Sequence, residues 1–125
     1  MLDQAKLAVV AYAEVVGSNG TSTLTNSGIY TTRLGAGLYE VDLSKNPDGS
    51  ASQQELNQFS DRDLIVVTPH SSTTQWAFGG ARNVSANGAV KNVFIGVGGN
   101  NTGADVDFSI VIYRTLTPPV TGGPA

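Results

Sequence analysis

The chain has 125 residues, a formal net charge of -3, no cysteine and 14% charged residues. That length fits one domain able to bury roughly two thirds of its unfolded surface, so folding requires neither disulfides nor a metal. Seven scattered Lys and Arg residues are too few for the phosphate neutralisation that nucleic-acid affinity rests on, and the longest apolar run, residues 7–13, is far short of the about 20 residues that span a bilayer.

Val, Ile and Thr are abundant, and β-branched side chains fit a pleated sheet better than a helix. Fifteen glycines cut the chain into short segments, as in a sandwich or barrel with many turns. Residues 6–16 open the series. Leu2, Lys6, Val9, Ala13 and Val16 fit a helical stripe behind an Asp3 cap, but the Val pairs and Tyr12 favour a strand. As a strand, Leu7, Val9, Ala11, Ala13 and Val15 share one face, and Ala8, Val10, Tyr12 and Glu14 the other. A strand apolar on both faces is expected at the centre of a sheet or under a neighbouring subunit.

Strands are expected next at 21–25 and 29–34, the second reversing through Gly35-Ala36-Gly37 into a half-buried strand at 38–43. Residues 44–63 read as polar and irregular, with one helical turn around 53–58. A short buried strand at 64–68 is expected to stop at Pro69, because proline gives no ladder donor. Strands at 75–82, 90–97 and 106–114 complete the set, the last two joined by a hairpin loop over 98–103. The spacing predicts an all-β protein: an antiparallel β-sandwich, jelly-roll-like, with short strands and Gly-rich turns. A single domain over 1–114 and a Pro/Gly-rich extended tail over 115–125 follow.

His70, the single histidine, lies in a hydroxyl-rich loop without a nucleophile elbow and reads as solvated. Asp105/Asp107 and Glu40/Asp42 are pairs two residues apart, expected as exposed charges on one strand face, and Asp61-Arg62-Asp63 as a local ion pair. Ser44, Asn46, Asp48, Gly49 and Glu55 echo calcium-loop spacing, but Ser44 replaces the leading acid and Pro47 interrupts the loop. Trp76, Tyr30, Tyr39 and Phe78 suit sugar stacking where exposed; Trp76 and Phe78 share a strand face, and core packing is the expected role. No enzyme activity, cofactor or metal is expected from these motifs.

Two stretches carry a resemblance. Arg33-Leu34-Gly35-Ala36-Gly37-Leu38-Tyr39-Glu40-Val41-Asp42-Leu43 resembles the Gly-x-Gly-Val-Tyr-x-Val hairpin of small β-sandwich modules in bacteriophage virion proteins. Phe108-Ser109-Ile110-Val111-Ile112-Tyr113-Arg114 is similar to their closing strand, and Val10 to Gly17 suits their opening strand. The resemblance implies a homotrimer on a virion, with no catalytic residue to carry over. A domain starting near Met1 fits a capsid decoration, or cement, protein on the outer surface of the major capsid protein. The alternatives are a tail-fibre or head-fibre receptor-binding module and a carbohydrate-binding β-sandwich. The surfaces expected to meet a partner are Leu7, Val9, Val10 and Tyr12 on the first strand and Pro118, Pro119 and Val120 in the tail.

Overall fold

The computed structural model describes residues 7–22, 29–51, 58–60, 63–70, 77–83, 88–98 and 102–115. These residues hold strands β1 (Leu7–Val15), β2 (Tyr30–Gly35), β3 (Leu38–Asp42), β4 (Asp63–Pro69), β5 (Ala77–Asn83), β6 (Val90–Val97), β7 (Thr102–Gly103) and β8 (Phe108–Thr115). Two antiparallel sheets result, one ordered β1-β8-β4 and the other β2-β3-β6-β5 with β7 paired to β6. The molecule is an antiparallel β-sandwich. First strand, last strand and a middle strand lie side by side in the smaller sheet, so the chain crosses between layers in a jelly-roll-like manner.

The core is built by alternation. Ala11, Ala13 and Val15 of β1 and Phe108, Ile110 and Ile112 of β8 point inward from one layer. Tyr39 and Val41 of β3 and Val93 and Ile95 of β6 meet them from the other, with Ile29 and Leu43 filling in. Each Val, Leu, Ile or Phe side chain so buried contributes about 1.5–3 kcal/mol. Tyr39 and Phe108 join the layers directly, with ring centroids 4.9 Å apart and planes tilted by 56°, an arrangement favoured by the ring quadrupoles.

The register of β1 corrects the expected faces. Val9 pairs with Tyr113 but Ala11 pairs with Ile112, so Val10 is an extra residue in a β-bulge. Two residues then oppose one, and the alternation changes phase at that point. Leu7 and Val9 turn outward with Tyr12, whereas Val10 packs on the core. The strand also lies at the edge of its three-stranded sheet rather than at a centre.

Other expectations change in detail. The strand around 64–68 runs from Asp63 through Pro69 and is half-buried, since Leu64 and Val66 face outward while Ile65 and Val67 pack on the core. The loop after β6 reverses into β7, not into the final strand, and β8 crosses to the opposite sheet. Of residues 21–25, Thr21 and Ser22 are described, and Ser22 makes a single bridge to Val15. The helical turn around 53–58, Trp76 and the tail residues Pro118, Pro119 and Val120 fall outside the described residues, apart from Gln58. Phe78 is not a core residue; it lies partly exposed on the outer face of the larger sheet.

Candidate functional site

The outer face of the β1-β8-β4 sheet carries a contiguous apolar patch. Pairing aligns Val9, Tyr113 and Leu64 in one row across three strands and Tyr12, Val111 and Val66 in the next. Leu7 extends the patch beside Thr115. Leu7, Val9, Leu64 and Val66 are each about half exposed, at 48%, 53%, 51% and 46%, and Tyr12 is 39% exposed. Single exposed apolar residues need no explanation, but a contiguous patch rimmed by polar groups marks a surface that another molecule covers.

The polar rim lies at one end. Glu14, Ser109 and Thr68 form the next row, and His70 follows β4, its N–H donating to the Asp107 carbonyl at 2.8 Å. Ser109 Oγ donates to Glu14 Oε1 at 2.5 Å. His70 Nε2 lies 3.3 Å from Ser109 Oγ and 3.4 Å from Glu14 Oε2. This is not the relay of a hydrolytic triad. There the imidazole stands between the two groups and uses both nitrogens, whereas here one nitrogen faces both and the serine gives its proton to the carboxylate. The cluster closes the end of the apolar face with a charged, hydrogen-bonding border.

On the other, core-facing side of the same two strands, Arg114 and Asp63 are paired at 2.6 and 2.9 Å in a two-pronged contact. Burial works to raise the Asp63 pKa, but the Arg114 guanidinium and the Ser60 N–H outweigh it and hold the carboxyl below its usual range. Asp63 therefore pairs with β8, while Asp61 and Arg62, the other members of the expected local ion pair, lie outside the described residues. Sequence spacing gave no sign of it, since the partners are 51 residues apart.

The remaining motif residues have structural roles. Asp105 precedes β8 and accepts from Arg33 Nε at 3.1 Å, from Arg33 Nη2 at 2.9 Å and from the Gly37 N–H at 3.1 Å. Asp107 accepts from the Gly17 N–H at 2.8 Å. Asp42 is buried and accepts from the Ser44 N–H and hydroxyl, so these acids are not a solvent-face pair as expected. In the loop at 44–51, Asp48 accepts both the N–H and the hydroxyl of Ser50, and Gly49 takes a φ of 89°. The acceptors turn onto the loop itself, and among the described residues no cluster of His, Cys, Asp and Glu is arranged to hold a metal.

Among the described residues, one buried side-chain acceptor is not satisfied. Asn92 Oδ1, on the outer face of the larger sheet, is buried and receives no hydrogen bond, a condition that costs about 1–3 kcal/mol. It borders an open groove of about 410 Å³ lined by Leu38, Gly80, Ala81, Asn92 and Phe94. Tyr39, considered for stacking on sugars, is fully buried and unavailable for that role. Comparison of the chain with protein-family models, curated proteins and solved structures finds no match.

Proposed function

We propose that the chain is a virion structural protein of the capsid-decoration, or cement, kind, which binds the outer surface of the major capsid shell as a homotrimer. The observation that carries this reading is the apolar outer face of the three-stranded sheet, where Leu7, Val9, Tyr12, Leu64 and Val66 stand exposed together. The resemblance of the β2–β3 hairpin and of β8 to phage virion modules supports it, as does the low surface charge. A neighbour covering this face removes apolar area from water, and the binding free energy favours the assembled shell by mass action.

The chemistry of the face also limits the partner. A surface this poor in charge suits a protein neighbour with an apolar patch of its own, bordered where it meets Glu14 and His70 by hydrogen-bonding groups. The test is sedimentation of purified protein mixed with undecorated capsids. Co-migration is expected, with loss of co-migration for Leu64→Lys combined with Val66→Lys. Wild-type protein that stays in the supernatant overturns the reading.

A further inference from the structure

The larger sheet has an outer face of different character. Pairing places Leu38, Phe94 and Gly80 in one row across β3, β6 and β5, with Glu40, Asn92 and the Arg82 backbone in the next. Gly80 brings no side chain, and a Cβ added there meets no heavy atom within 4 Å. The gap opens the groove of about 410 Å³ beside Phe94. Gly96 has the opposite relation to its surroundings: Phe78 and Phe94 fold over it, their ring centroids 6.2 Å apart, and leave no space for a Cβ. The glycines therefore set an aromatic wall against an empty floor.

The geometry points to a saccharide-binding groove on this face, taking a neutral pyranose unit against Phe94 with its hydroxyls toward Asn92 and Glu40. Three features select that chemistry. The aromatic ring and Leu38 offer an apolar surface to the C–H face of a sugar ring. Asn92 lines the groove and its Oδ1 is an acceptor without a donor. Glu40, cross-strand from Asn92, supplies acceptors at the spacing of neighbouring sheet residues, which suits adjacent hydroxyl groups. None of the five lining residues is charged, so a phosphate or carboxylate ligand finds no counter-charge among them. The groove faces away from the β1-β8-β4 patch, so this proposal stands independently of the shell reading.

The test is a titration of the full-length, ¹⁵N-labelled chain with glucose, galactose, mannose, N-acetylglucosamine, N-acetylgalactosamine, maltose, cellobiose, lactose and chitobiose, followed by amide chemical shifts. At least one of these sugars is expected to give saturable shifts centred on Leu38, Gly80, Asn92 and Phe94. Gly80→Val, whose Cβ meets no heavy atom within 4 Å, narrows the groove and is expected to weaken that binding at least about tenfold through steric exclusion. Its dispersed spectrum serves as the folding control, and Asn92→Ala gives the same comparison if that spectrum collapses. Leu64→Lys with Val66→Lys is expected to leave sugar binding intact. The proposal is overturned if none of the sugars gives saturable shifts, if the shifts centre elsewhere, if both groove variants bind as wild type, or if short peptides saturate the groove and sugars do not.

Discussion

At the scale of single residues, Asp105 fastens the β2–β3 hairpin to the segment entering β8. It takes hydrogen bonds from Arg33 and Gly37, and the Tyr39 hydroxyl lies 3.2 Å from it and 2.7 Å from the Gly17 carbonyl. Burial, reinforced by the Asp105 charge, pushes the Tyr39 hydroxyl up to about 12. The folded protein thus holds this proton more tightly than the unfolded chain, which releases it near pH 10. The stabilisation is complete below pH 10 and is lost as the pH rises toward 12, a loss of about 2–3 kcal/mol at the top of that range. Denaturant melts across pH 8–12 are expected to show this alkaline decline, and Tyr39→Phe to flatten it while costing about 1 kcal/mol near neutrality. An alkaline limb unchanged in Tyr39→Phe places the titration elsewhere. None of this was legible beforehand. The spacing of Asp105 and Asp107 implies a common strand face, but β8 begins only at Phe108, so both acids sit in a loop and reach different partners.

At the scale of elements, the hairpin was the most readable part of the chain and the bulge the least. Gly35-Ala36-Gly37 between alternating strands is a local signal, and the turn forms there. Gly37 takes a φ of 69°, and a Cβ on it collides with the Ile95 carbonyl oxygen and the Ala104 nitrogen. Gly37→Ala is therefore expected to cost at least about 2 kcal/mol in urea unfolding. Gly35→Ala, with nothing within 4 Å of the added carbon, is expected to stay within about 0.5 kcal/mol of wild type. Equal effects at the two positions contradict the turn geometry. The bulge at Val10 leaves no such local mark, because two-against-one pairing is a property of β1 and β8 together. Reading β1 by itself puts Val9 on one face with Ala11 and Ala13 and Val10 on the other with Tyr12, whereas Val9 shares the outer face with Tyr12 and Val10 packs on the core. The same limit explains β4, whose Leu64, Ile65, Val66 and Val67 are apolar at every position and carry no sign of which pair faces out.

At the scale of the whole molecule, composition was enough for the class: β-branched residues and frequent glycines lead to a sandwich. The candidate face was partly legible. Leu7, Val9 and Tyr12 were singled out, but uniting them on one side required the bulge, and Leu64 and Val66 joined only through the order β1-β8-β4. If this face mediates the proposed trimer, light scattering at micromolar concentration is expected to give three times the chain mass for wild type. Leu64→Lys with Val66→Lys is expected to give a folded monomer whose unfolding midpoint lies below that of the trimer, because the association free energy no longer stabilises the folded state. A wild-type monomer removes self-association from the role of this face.

The pairing of Leu7 with Thr115 has a mechanical consequence. The first residue of β1 and the last of β8 lie side by side, so a force pulling those two ends apart loads the hydrogen bonds of the pair one after another, like a zipper. Such loading is resisted far less than shear along the strands, where many bonds share the strain at once. The fold is therefore weak if gripped by these two strand ends and strong if gripped across its sheets. The broad outer faces, rather than the chain ends, are the handles by which this fold can transmit load.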